Sequence, residues 1–238
     1  MARWMNERRQ EHYYNKAKEE GYRSRASYKL IQLNEEYHFF DGANTVLDLG
    51  AAPGGWLQVA STALLGGGLI LGVDLKEIYP LDAENVETIV GDVTNPEVQA
   101  EVMELFNGKA DVILSDMAPN VTGVWEMDDY RQIHLARTAL TIADKLLKVD
   151  GWMVIKVFQG IEYNNFIKDV KAMFEEVHVF KPKASRKSSA EVYFVVKNLK
   201  KERILPEEFR LGYEPKKLDD VEPVGPIPGD QLPSEESN

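Results

Sequence analysis

The chain has 238 residues, 44% hydrophobic and 28% charged, a balance that excludes a disordered protein and fits one globular domain with a tail. It contains no cysteine, which excludes disulfide frameworks and thiolate metal sites and suits a reducing, cytoplasmic setting. The net charge of −11 conceals two basic segments: residues 1–30 carry +4 and residues 181–200 carry +5, against −15 for residues 31–180 and −5 for residues 201–238.

In chain order, the first ten residues lack the apolar region of a secretory signal, and no stretch approaches the roughly 20 apolar residues that span a bilayer, so no membrane partner is expected. Thr45 to Leu49 is an apolar run that ends at glycine and predicts a buried strand. Trp56 to Leu65 has helical spacing, and Leu69 to Asp74 is a second strand after the Gly66-Gly67-Gly68 turn. Val86 to Val90 is a third strand, Asn95-Pro96 opens a helix, and Ala110 to Ser115 is a fourth strand. Ile133, Ala136, Leu140, Ala143 and Leu147 form one apolar helix face. Trp152 to Val157 is a fifth strand, Phe166 to Phe174 a helix, Val177 to Phe180 a sixth strand and Glu191 to Lys197 a seventh. This alternation predicts an α/β fold of the Rossmann-like kind: a seven-stranded, mostly parallel sheet with an antiparallel last strand and helices on both faces. Such a sheet binds ligands beyond the carboxyl ends of its strands.

The candidate site residues fall at those ends. Asp48-Leu49-Gly50-Ala51-Ala52-Pro53-Gly54-Gly55-Trp56 joins the first strand to the first sheet-covering helix. Its spacing is not that of a dinucleotide loop, an acid heads it, and no basic side chain follows for phosphates. It therefore suits a ligand with an amino-acid part and no phosphate, with Gly50 a candidate contact and Trp56 either plain core or a wall of that ligand's pocket. Asp74 ends the second strand, where a carboxylate accepts bonds from ribose hydroxyls, and Asp92 follows the third, placed to meet an adenine amino group. Lys156 lies inside the run Val154-Ile155-Lys156-Val157-Phe158, and an ammonium buried there needs a partner, for which Asp116 at the end of the fourth strand is the candidate.

Five motifs carry a resemblance. Arg-Ser-Arg-Ala-Ser-Tyr-Lys-Leu (23–30), the glycine loop (48–56), Ser-Asp-Met-Ala-Pro-Asn (115–120), Lys-Val-Phe-Gln-Gly (156–160) and Glu-Val-Tyr (191–193) occur together in the order of the FtsJ (RrmJ-like) ribose 2′-O-methyltransferases. From Arg23 to about Lys197 the chain resembles that family. The resemblance implies a catalytic tetrad of Lys29, Asp116, Lys156 and Glu191, with Lys156 as proton acceptor. It also implies S-adenosylmethionine as cofactor, contacted at Gly54, Trp56, Asp74, Asp92 and Asp116. The expected reaction is methylation of a ribose, a uridine, in large-subunit ribosomal RNA. Two departures stand out: the run Ser185 to Ala190 before Glu191 is altered, and the proline-rich acidic tail lies outside the family core.

On this reading the two basic segments flank one site. Arg8, Arg9, Arg23, Arg25, Lys181, Lys183, Arg186 and Lys187 become phosphate-binding candidates, and Tyr13, Tyr14, Tyr22 and Tyr28 base-stacking ones. The four histidines show no metal spacing, so no metal is expected, and the chain is expected to act as a monomer. Residues 1–30 are expected to be a basic RNA-binding arm, 31–202 the methyltransferase domain and 203–238 a largely disordered tail. The readings that compete are methylation of the tRNA anticodon loop, a cap-directed methyltransferase, for which no added cap-binding segment is visible, a non-catalytic ribosome assembly factor, and an NAD-dependent oxidoreductase, which the loop spacing disfavours.

Overall fold

The structure, a computed structural model, describes residues 12–106 and 109–203. The expected tail, apart from residue 203, and Arg8 and Arg9 lie outside the described residues. Residues 12–19 are helical (α1) and lead through a turn into α2 (Ser27–Tyr37). Because α2 runs through residue 30, the basic arm continues into the domain without a break. Ala17, Tyr28 and Ala184 bury one another, which fastens α1 to the second basic segment.

The sheet comprises β1 (Thr45–Leu49), β2 (Leu69–Asp74), β3 (Val86–Val90), β4 (Ala110–Ser115), β5 (Leu147–Phe158), β6 (Phe174–Phe180) and β7 (Glu191–Leu199). Its order is β3-β2-β1-β4-β5-β7-β6. The first five strands pair in parallel, and β7 lies between β5 and β6, antiparallel to both. The seven strands, the antiparallel last one and the two-sided helical cover agree with the sequence reading.

Two helix ends fall earlier than the periodicity suggests. α5 (Trp125–Leu146) stops one residue short of Leu147, whose extended backbone (φ −75°, ψ 138°) begins β5. The expected strand start at Trp152 overlooked this stretch because Gly151 and a bulge interrupt its pairing with β4. Likewise α6 (Tyr163–Met173) gives up Phe174, which opens β6 and pairs with Leu199. In both cases a large apolar residue that fits a helix face is buried equally well as a strand residue.

The remaining helices are α3 (Gly55–Ala63) and α4 (Pro96–Phe106). Two apolar layers sandwich the sheet. One joins α2 and α3 through Leu30, Leu33, Trp56 and Leu57 to Val46, Val112, Leu114, Val154, Tyr193 and Val195. The other joins α4, α5 and α6 to Leu47, Leu49, Ile113, Met153, Ile155, Val157, Phe194 and Val196. Successive strand residues thus alternate between layers. Ile155 and Val157 turn toward α5, so Lys156 between them turns toward α2 and α3.

Candidate active site

The strand order reverses between β1 and β4, and this switch point is where the glycine loop and Asp116 meet: the Asp116 N–H donates to the Leu49 carbonyl at 3.2 Å. Gly50 has φ +82°, and a Cβ there would stand 3.0 Å from the backbone nitrogen of Met117. Only glycine lets the loop after β1 pass so close to the loop after β4. The N–H groups of Gly50 and Ala51 donate to the Val73 carbonyl, and the Ala52 N–H donates to Asp74 at 2.9 Å. Asp74 also accepts from the Lys76 N–H. Asp92 accepts from the N–H and hydroxyl of Thr94, which orients it at the end of β3.

The Arg-Ser-Arg-Ala-Ser segment is built into this loop. Arg23 donates to the carbonyls of Pro53 (3.0 Å), Tyr79 (2.6 Å) and Pro80 (2.6 Å), and its N–H donates to Gln58. Ser27 donates to the Gly55 carbonyl, and the Trp56 indole donates to the Ala26 carbonyl. Backbone carbonyls occupy the Arg23 guanidinium, which thereby clamps the glycine loop to the stretch after β2. Trp56 is 4% exposed and packs on Tyr193.

Asp48 is the most telling group on the cofactor side. It is buried, and neither carboxylate oxygen has a hydrogen-bond partner among the described residues. Burial, then the nearby Asp116 and Asp74, push its pKa well above the usual carboxylate range. The unpartnered Asp48 carboxyl, with the carboxylates of Asp74 and Asp116 near it at the glycine loop, makes surroundings that suit a cation and repel a phosphate. A sulfonium and ammonium ligand such as S-adenosylmethionine fits this set, with Asp74 and Asp92 at the successive strand ends.

All four tetrad candidates come together beside that pocket, on the α2–α3 face of the sheet. Lys156 Nζ lies 3.0 Å from Asp116 Oδ1 and also donates to the Asp116 main-chain carbonyl. Tyr193 donates to Asp116 Oδ1 at 2.7 Å and accepts from Lys29 Nζ at 3.2 Å. Lys29 pairs with Glu191 at 2.6 Å. The result is one connected path, Lys156–Asp116–Tyr193–Lys29–Glu191. Burial by itself would raise the pKa of Asp116, but Lys156 and Lys29, with the bonds from Tyr193 and Lys156, outweigh it and hold the pKa below the usual value. Tyr193 is fully buried, and burial followed by Asp116 and Glu191 pushes its hydroxyl far up, so it stays a neutral donor. Sequence reading treated Tyr193 only as part of a motif. Its place two residues after Glu191, on the same strand face, was the available signal.

The two basic segments meet next to Glu191. The pKa of Arg25 is lowered by burial and then by the charge of Arg186, and Glu191 opposes this. Lys181 donates to the Ser189 carbonyl and ties off the loop before β7, and Lys183, Arg186 and Lys187 are exposed. Three of the four tyrosines, Tyr13, Tyr22 and Tyr28, hold structure through their rings. Tyr28 is 4% exposed and donates to Glu20, Tyr13 accepts from Gln32, and Tyr13 and Tyr22 pack on Tyr28; Tyr14 stays exposed. Among the described residues no group of acids and histidines could hold a metal ion, and no helix is long and apolar enough to cross a membrane.

Residues 22–199 match the family of FtsJ-like methyltransferases. The chain is 50% identical over 189 residues to "Ribosomal RNA large subunit methyltransferase E" of Methanothrix thermoacetophila, covering 79% of this chain and 72% of that protein. A protein of the same name from Methanocella arvoryzae is 50% identical over 193 residues, covering 81% and 74%. A crystal structure of a Plasmodium falciparum protein described as a ribosomal RNA methyltransferase superposes with a TM-score of 0.67 at 33% identity, covering 75% of this chain and 98% of that one.

Proposed function

The chain belongs to the FtsJ-like methyltransferase family, and from that premise we propose that it methylates the 2′-hydroxyl of a ribose, a uridine, in large-subunit ribosomal RNA, with S-adenosylmethionine as methyl donor. The names of its relatives support the large-subunit target. The observation that carries the chemistry is the connected path from Lys156 to Glu191, lying on the same face of the sheet as the glycine loop.

When bound, S-adenosylmethionine supplies an electrophilic methyl group on a sulfonium. The protein's part is to align a weak nucleophile and remove its proton. A neutral lysine amine has two N–H donors and one lone pair. On Lys156 the N–H groups reach the carboxylate and the main-chain carbonyl of Asp116, which fixes the direction of the side chain that is to accept the proton. With the donor bound, the ribose O–H bond would break toward Lys156 while the methyl group left the sulfonium sulfur as a neutral thioether, and Asp116 would stabilise the ammonium that results. Lys29, held by Glu191 and Tyr193, keeps a second positive charge beside the developing alkoxide. Asp48, Asp74 and Asp92, with the backbone at Gly50 and Gly54, hold the cofactor. Arg25, Lys183, Arg186 and Lys187 bind RNA phosphates, and the basic arm extends that surface. Binding to a rim of this kind weakens steeply with salt. The expected cytoplasmic setting goes with this substrate.

The test is methyl transfer from isotopically labelled cofactor to large-subunit RNA, assembled subunits and tRNA, with the modified ribose mapped. Label on a 2′-oxygen of large-subunit RNA is expected. Label on tRNA alone, or none on any RNA, overturns the reading.

A further inference from the structure

We propose that Trp125 and Phe158 form a stacking ledge for a nucleobase next to the target nucleotide. The inference rests on the function proposed above and names a part of the RNA site that the basic rim does not provide.

The rings of Trp125 and Phe158 lie nearly parallel, 19° apart, with centroids 6.0 Å from one another, and Trp125 is 45% exposed. They come from different elements, each next to a loop. Trp125 opens α5 after the loop that leaves β4 at Asp116, and Phe158 is the last residue of β5. Phe158 stands two residues beyond Lys156 on the same strand face, about 7 Å along it, and pairs across the sheet with Glu191. The ledge is therefore continuous with the tetrad.

Two adjacent acids hold both loops in place. Asp128 accepts from the N–H and hydroxyl of Thr122 and from the Gly123 N–H. Asp129, 1% exposed, accepts from the N–H groups of Ile161 and Glu162. Gly160 sits so close that a Cβ there would lie 2.0 Å from Asp129 Oδ1. Surface loops usually carry no such buried anchors. Anchored here, they present an aromatic pair in a fixed position, which reduces the ordering cost of binding.

The occupant follows from charge. Residues 110–130 contain no lysine or arginine, and Arg131 beyond them acts on Asp128, whereas the phosphate-binding candidates gather beyond Glu191 around Arg25 and Arg186. A strand with its phosphates on that rim presents bases, not backbone, to the ledge. Single-stranded RNA is read by stacking splayed bases on exposed aromatic rings.

Trp125→Ala, Trp125→Tyr and Phe158→Leu test this in steady-state methyl transfer with naked large-subunit RNA and with assembled subunits. Losing one stacked base raises KM for RNA by roughly 5- to 150-fold. The expected pattern is that rise on both substrates for Trp125→Ala, a smaller one for Phe158→Leu and near recovery for Trp125→Tyr. Cofactor affinity and kcat stay within about twofold, and thermal melting confirms that each variant is folded. RNA should also quench wild-type tryptophan fluorescence more than that of Trp125→Tyr. An unchanged KM for naked RNA in folded Trp125→Ala overturns the ledge. A defect on assembled subunits alone also overturns it and assigns the patch to a ribosomal protein. Inactive wild type on every RNA defeats the underlying reading instead, which separates the two failures.

Discussion

The two faces of the sheet are made by the same strands and do opposite work. The α4–α6 face takes Leu47, Ile113, Met153, Ile155 and Val157 and is closed with apolar side chains. The α2–α3 face takes the alternate residues, and there the pattern is broken by Asp48, Lys156 and the hydroxyl of Tyr193. Polar groups are costly to bury, and here they are concentrated on one side, where they satisfy one another or await a charged ligand. The other side supplies the stability that this arrangement needs. One strand, β5, does both: its odd-numbered residues are structural and Lys156 is chemical.

The largest expected effect tests the chemical face. Lys156→Ala should lower kcat for methyl transfer by roughly 10²- to 10⁴-fold, the usual contribution of a positioned acid or base, and leave cofactor affinity within a few-fold. Full activity in this variant would remove the distinction between the faces. Its neighbour tests the structural face. Ile155→Ala should cost about 2–5 kcal/mol in denaturant unfolding, because it leaves a cavity under α5. Below its melting temperature it should bind cofactor like wild type. If it weakened cofactor binding as much as stability, the faces would not be separable.

Smaller effects sharpen the picture at the pocket. Arg23→Ala removes charge-assisted bonds to three carbonyls, each worth roughly 1.5–3 kcal/mol at most. About tenfold weaker cofactor binding by calorimetry is expected, with activity restored at saturating cofactor. Unchanged affinity would mean that the clamp serves folding alone.

Asp48→Asn should show itself through pH. In the unfolded chain Asp48 titrates near 3.9, roughly, and in the folded protein higher. The folded state therefore keeps the proton longer. The stability this confers is complete below about pH 4 and is lost as pH rises through the folded value. The variant lacks that loss, so its stability relative to wild type should grow from pH 4 toward neutrality, while its cofactor affinity falls. A constant difference across that range would show that Asp48 is not held protonated.

Much of this was legible in the residues themselves. Lys156 stood out because an ammonium interrupts an apolar strand, and the period of two placed it opposite Ile155 and Val157. The glycine loop declared itself by spacing and by its leading acid. What sequence could not supply was the partner of each polar group. Arg23 reads as a phosphate ligand until its guanidinium is found on carbonyls some thirty to sixty positions away. Tyr13, Tyr22 and Tyr28 read as stacking rings until their faces are seen packed on one another, whereas Tyr14 stays exposed. The helix ends at Leu147 and Phe174 were missed because burial favours a large apolar residue equally in a helix or a strand.

The position of β7 has a consequence for synthesis. The last strand of the sheet to be made is inserted between two that precede it, and it delivers both Glu191 and Tyr193. A nascent polypeptide that has released every earlier strand still has a gap where two members of the relay belong. A product cut short before β7 lacks Glu191 and Tyr193 together, and on the reading proposed above it is expected to be inert rather than partly competent.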